Sequence, residues 1–336
     1  MRGASLASTR RAWLGWAAGL VVLPTAAHAT RRETRQLFGS PIDLLLPDAA
    51  PRAASDELLA GLAAMNARWN AWKPGDLDEL NAALRAGRPH VTTPALASMI
   101  RSAAALELAS AGCFNPAIGG LVGAWGFHDD VMRPGARPHD EAIARWTAAP
   151  PSLAQLELRG STVRAASRRV QLDFGAYAKG VALDWALDRL ARQGVRDGLL
   201  NLGGNLAAMG AVDGRAWQVG IRDPHRPGLA ASLALRGREA VVTSGTYERW
   251  RLLDGQRCTH ILDPASGQPA GGLESVTVVH RSAALADAAA TALLVAGPAH
   301  WPALAQRLGV DQVLVIDRAG RRSATPRLAP RLQLTA

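Results

Sequence analysis

Apolar residues in the first half of this chain recur every three to four positions, and further on the spacing shortens toward two. Residues 55–69, 76–85 and 93–111 carry apolar positions at helical spacing, and Asp76 and Thr93 have the short acceptor side chains that suit helix N-caps. From Leu153 onward, short β-like runs are predicted over 153–158, 162–165 and 170–174. A helix over 177–192 follows and stops before Gly194, the residue type that best takes the left-handed position beyond a helix end. Further strands are predicted at 198–202, 217–221, 240–243, 258–262, 275–279 and 312–316, with a helix over 283–295. Helices and strands interleave without a steady βαβ rhythm, which predicts an α+β fold rather than a doubly wound sheet.

The first thirty residues follow a different logic. Arg2, Arg10 and Arg11 precede an apolar run over 12–23 that is too short to span a bilayer as a helix, and Ala27-His28-Ala29 places small residues either side of a spacer. Residues 1–29 therefore read as an export signal, and 30–336 as the mature domain. Thr9-Arg10-Arg11-Ala12-Trp13-Leu14 has the form of a twin-arginine signal, whose pathway exports folded proteins. A Sec signal with an incidental Arg pair is the alternative. No Cys follows the apolar run, so a lipoprotein anchor is not expected, and no later stretch reads as a membrane span. The expectation is a soluble periplasmic protein.

Composition narrows the partners. The chain has 336 residues, 48% hydrophobic and 20% charged, as ordinary globular proteins do. A net charge of +10 raises nucleic acid as a partner. However, Lys73 and Lys179 are the only lysines among 38 basic residues, the arginines are spread along the whole chain, and no RNP, zinc-finger or basic-zipper pattern is present. No nucleic-acid partner is expected. The two cysteines, Cys113 and Cys258, are too few for a disulfide scaffold; sequence does not establish that they meet, and free thiols are expected.

Four islands place glycine, acidic and hydroxyl residues where helices or strands end. They are Phe114-Asn115-Pro116-Ala117-Ile118-Gly119-Gly120 with Trp125-Gly126-Phe127; Asp173-Phe174-Gly175-Ala176-Tyr177-Ala178-Lys179-Gly180 with Gly203-Gly204-Asn205; Thr243-Ser244-Gly245 with His260-Ile261-Leu262-Asp263-Pro264-Ala265-Ser266-Gly267; and Asp287 with Thr291. Gly203-Gly204 lacks Rossmann or P-loop spacing. Lys179, in a chain that otherwise uses Arg, supplies a compact point charge directly after a predicted strand. Asp287 and Thr291 stand four residues apart, so both oxygens project from one helix face. A carboxylate, a hydroxyl and a nearby main-chain carbonyl are hard donors that suit Mg²⁺ shared with a substrate phosphate. HExxH and Cys-rich ligand spacing are missing, which disfavours zinc.

Together and in this order, the islands resemble the ApbE family of FAD:protein FMN transferases, over about Leu37 to Gly297. The resemblance implies one compact α+β domain, T-fold-like, with a mixed or antiparallel sheet flanked by helices. It implies Mg²⁺-dependent transfer of FMN from FAD to a Thr or Ser hydroxyl of an exported or membrane-bound redox protein, with release of AMP. A role in nitrous-oxide respiration is one such setting. Carried over by position, the Ala176 carbonyl, Asp287 and Thr291 would hold the metal, and Asp173 and Lys179 would contact FAD. Phe38, Trp72, Cys113, Phe114 and Asn115 would line the nucleotide site, and Ile261 and Leu262 would close on it. His260 is the candidate base, with a structural role at the Asp263 turn as the alternative. Asn115 and Asn205 stand where the family prefers Asp, Ser266 where it prefers Thr, Phe38 where Met is usual, and Trp72 where Tyr is usual. FAD hydrolysis to FMN and AMP, or FAD binding without catalysis, are the competing functions.

Overall fold

The computed structural model describes residues 20–22, 30–129 and 131–335. The Arg pair and the Ala27-His28-Ala29 segment lie outside the described residues. Leu20–Val22 forms a short strand, β1.

The centre is an eight-stranded sheet of β2 (Thr30–Leu37), β3 (Ser40–Pro47), β7 (Gly198–Leu202), β8 (Asn205–Met209), β11 (Glu239–Gly245), β14 (Leu273–His280), β15 (Val313–Asp317) and β16 (Arg322–Ala324). Its strands lie side by side in chain order, β2 at one edge and β16 at the other, and every neighbouring pair is antiparallel. Two of its connections are two-residue turns with both φ values positive: Phe38-Gly39 between Leu37 and Ser40, and Gly203-Gly204 between Leu202 and Asn205. That is the type I′ geometry that matches strand twist. The two turns abut, because a Cβ on Gly203 would stand 2.5 Å from that of Ser40.

Both faces of the sheet are covered. A smaller sheet of β1, β9 (Gln218–Arg222), β10 (Leu229–Ala234) and β17 (Gln333–Leu334) packs on one face through Leu199, Leu206, Val241 and Val279 against Val219, Ile221 and Leu233. The other face takes the helices α1 (Arg52–Arg68), α6 (Ala178–Arg192) and α7 (Ala283–Arg307). Beyond them lie α2 (Asp76–Arg85) and α3 (Pro94–Ala109), on a core that includes Leu77, Leu80, Ile100 and Leu294. With cover on both sides, β7, β8 and β11 are buried at every residue. The remaining elements are α4 (Gly119–Ala124), α5 (Asp140–Thr147), the small sheet of β4 (His90–Val91), β5 (Leu156–Arg159) and β6 (Thr162–Ala165), and the hairpin β12 (Trp250–Leu253) with β13 (Gln256–Thr259).

Several sequence expectations change. α7 extends to Arg307 but is broken at Gly297, whose φ is 74°, ahead of Pro298. By length and composition it could cross a membrane, contrary to the expectation that no later stretch could, yet its apolar inner face packs in the core. Residues 170–174 are extended but pair only through a bridge from Gln171 to Ile118. β2 and β3 were not predicted. The sequence of β2, with Arg31, Arg32, Glu33 and Arg35, has no apolar face to detect, because an edge strand needs none.

Candidate active site

The site is built where α6 and α7 cross. Gly180, in the first turn of α6, packs so closely on α7 that a Cβ there would stand 2.4 Å from the Ala283 carbonyl oxygen. The crossing is locked by Asp184, which accepts bonds from the Ala283 and Ala284 N–H groups and the Ser282 hydroxyl at the start of α7. Contact at this range lets the Gly180 N–H donate to Asp287 Oδ2 at 2.9 Å. In a regular helix that N–H would pair with the carbonyl four residues back, that of Ala176. Ala176 instead lies ahead of α6, and among the described residues nothing donates to its carbonyl.

Asp287 is only 4% exposed. Its other oxygen accepts from the Asn205 amide at 2.9 Å, which comes from the strand just after the Gly203-Gly204 turn. Burial pushes the Asp287 carboxyl above the usual range, against the opposing pull of Lys179 and the two hydrogen bonds. One turn on, Thr291 Oγ1 lies 2.9 Å from Ser244 Oγ on β11. A buried carboxylate with only neutral direct donors, an open carbonyl and a hydroxyl together fit a hard divalent cation. Among the described residues no three His, Cys, Asp or Glu side chains cluster as a metal cage, so a cation here would complete its shell with water or substrate oxygens.

Asp173 and Trp72 meet directly: Trp72 Nε1 donates to Asp173 Oδ2 at 3.1 Å, and the Gly175 N–H donates to Oδ1. The Trp72 ring lies 5.5 Å from that of His128, a contact sequence reading missed although His128 directly follows Trp125-Gly126-Phe127. Cys113 is half-buried, its thiol pushed up by burial and then by Asp263, and both cysteines are free. Other expected lining residues also make contacts within the fold. The Phe114 side chain is core, 2% exposed, beside Tyr177. Asn115 closes a turn, accepting from the Ala117 N–H and donating to the Pro151 carbonyl. Phe38 occupies its turn in the left-handed region, φ 53°, held by Asn66, which accepts from the Phe38 N–H. Through the abutting turns it reaches the strand end that carries Asn205. At Gly203 the neighbour that excludes a side chain is Ser40.

His260 follows β13 on the loop to Asp263. Its Nδ1 lies 2.9 Å from the Arg249 carbonyl oxygen, which can only accept, so Nδ1 carries the proton and Nε2 keeps a lone pair. Its pKa is pushed down to about 4, first by burial, then by Arg249 and Lys179. Ile261 and Leu262 are buried, and Leu262 pairs with Pro269. The next turn is closed by Asp263, which accepts from the Ala265 N–H and the Ser266 hydroxyl, and is anchored by Trp125 Nε1 donating to the Gly267 carbonyl at 2.9 Å. The Trp-Gly-Phe and Asp-Pro islands are thus two sides of one contact. Lys179 forms no ion pair among the described residues, and acts electrostatically on both Asp287 and His260.

The ApbE family profile matches residues 38–314. A "FAD:protein FMN transferase" of Rhodobacter capsulatus is 42% identical over 331 residues, which cover 96% of this chain and 63% of that protein's length. The chain thus spans under two thirds of that relative. Among solved structures, the apo Pseudomonas stutzeri "flavinyl transferase ApbE" superposes with a TM-score of 0.79 at 29% identity, covering 91% of this chain and 98% of that one. The ApbE protein of Thermotoga maritima gives 0.83 at 24% identity, over 90% and 99%, a likeness of fold. With the family profile spanning most of the chain, this chain belongs to the ApbE family.

Proposed function

We propose that this protein transfers the FMN half of FAD to a Thr or Ser hydroxyl of an acceptor protein and releases AMP. One observation carries the reading: Asp287 meets the first turn of α6 at the α6–α7 crossing, one helical turn from Thr291 and within electrostatic reach of Lys179, which in turn reaches His260. The names of the Rhodobacter and Pseudomonas relatives support it. Asp287, Thr291 and the Ala176 carbonyl would hold Mg²⁺, which when bound offsets negative charge on the pyrophosphate and on the departing AMP. Lys179 adds a second cation for the same phosphates. His260 Nε2 accepts the acceptor's hydroxyl proton as that oxygen bonds the FMN phosphorus and the bond from phosphorus to the AMP oxygen breaks. Trp72 and Asp173, fixed to each other, present one rigid wall for the flavin nucleotide.

Full-length protein, FAD, Mg²⁺ and a Thr-containing acceptor domain should give flavin that stays on the acceptor after denaturation, and none when that Thr is Ala. Free FMN accumulating with AMP beside an unlabelled acceptor would replace the transferase with a hydrolase.

The lowered His260 pKa sets a pH expectation. Above its pKa the ring is neutral and can accept a proton; below it, activity is lost. kcat/KM, which reports the free enzyme, should hold its plateau down to about pH 5 and fall only as pH approaches about 4. His260→Gln should lower the plateau and remove that limb. A limb near 6.5 in the parent would exclude a base in this environment.

A further inference from the structure

A second charged site lies at the far end of the same strands. A cavity of about 480 Å³ is lined by Arg236, Arg238, Glu239, His280, Arg281 and Arg327. A smaller hollow of about 240 Å³ shares Arg236 and Arg327 and adds Arg331. Glu239 stands at the start of β11 and Ser244 near its end, about 17 Å away by strand rise. Arg281 precedes the N-cap of α7, and Asp287 lies about 9 Å further along the helix axis. The cavity is therefore separate from the candidate active site, though both rest on β11 and α7.

The carboxylates here are already matched. Arg331 grips both oxygens of Glu239, at 2.9 and 2.7 Å. Arg327 Nη1 donates to Asp311 at 2.6 Å, and Arg238 pairs with Asp188. Arg236 and Arg281 have no ion pair and no side-chain hydrogen bond among the described residues. Arg331 adds a buried Nε that lacks an acceptor, on a side chain only 8% exposed. Two unmatched guanidinium forks lining one cavity form a donor pair for phosphate oxygens, which guanidinium binds bidentately. The volume exceeds what one phosphate fills and falls within the usual range for small-ligand sites.

We infer that this cavity binds a phosphate-bearing polyanion of diphosphate size or larger, either a soluble phosphate ester or an anionic phospholipid headgroup. The site stands on its own residues and does not depend on the transferase reading.

The test is calorimetric titration of the full chain with inorganic pyrophosphate, without divalent cation. Binding should persist in Lys179→Gln, which removes the candidate active site's cation for phosphate, and weaken by roughly tenfold or more in Arg236→Gln/Arg281→Gln. Both residues are exposed, and an unchanged melting temperature confirms that the variant folds. Cosedimentation with vesicles containing phosphatidic acid, lost in the same variant, would assign the headgroup as the source. Pyrophosphate binding without vesicle binding would assign the soluble ester. Binding abolished by Lys179→Gln, binding untouched by the double substitution, or no binding to either probe would overturn the inference.

Discussion

Asp287→Ala should lower FMN transfer by roughly a thousandfold, about 4 kcal/mol of lost transition-state stabilisation, while the chain stays folded. The carboxylate is the only anionic group among the three donors at the α6–α7 crossing, so removing it leaves a hydroxyl and a carbonyl to hold a divalent cation. The effect on folding is smaller because two costs oppose each other. In the cation-free protein, burial already disfavours the ionised Asp287, so alanine relieves a buried charge. It also leaves the Gly180 N–H and the Asn205 amide without their acceptor, at about 1–3 kcal/mol each. Asp287→Asn, which keeps the shape and loses the charge, should be nearly as inactive. Initial rates of covalent labelling at limiting Mg²⁺, with melting curves alongside, decide the matter. Transfer by Asp287→Ala within tenfold of the parent would remove the metal role.

Gly180→Ala should be a severely damaging conservative change. The added methyl meets backbone, the carbonyl oxygen of Ala283 and the Cα of Ala284 at 2.7 Å, so no side-chain rotation can relieve it. Separating α6 from α7 breaks the Gly180–Asp287 bond and strains the Asp184 cap. A loss of about 3 kcal/mol is expected, and a melting temperature lower by roughly 6 °C or more. Transfer should fall as far as in Asp287→Ala, because the donors no longer converge. A variant that melts within a degree or two of the parent would mean that the helices part without strain.

How much of this was legible depended on where the information lay. The i, i+4 pair Asp287 and Thr291, the lone Lys179 and the N-cap Thr93 are local patterns, and the structure places them on the helices expected. The tight crossing at Gly180 left no local trace beyond a glycine after Lys179, since its reason is a backbone more than a hundred residues away. Asn205 read as a departure from a family motif, while its partner Asp287 is visible only in three dimensions. Phe114 and Asn115 are expected at the site from their motif alone, while their packing and turn bonds are visible only in three dimensions. β8, rich in alanine and leucine without alternation, gave no strand period because both of its faces are covered.

A long antiparallel sheet has two ends, and each end is a row of unpaired N–H and C=O groups that another chain can extend. At one margin β16 has only three residues, too few to template a partner. At the other, β2 is long enough but carries Arg31, Arg32, Glu33 and Arg35, so an incoming strand would have to set its own side chains against a dense run of charge. The polar sequence that hid β2 from pattern reading is the same feature that stops the sheet from growing into an aggregate.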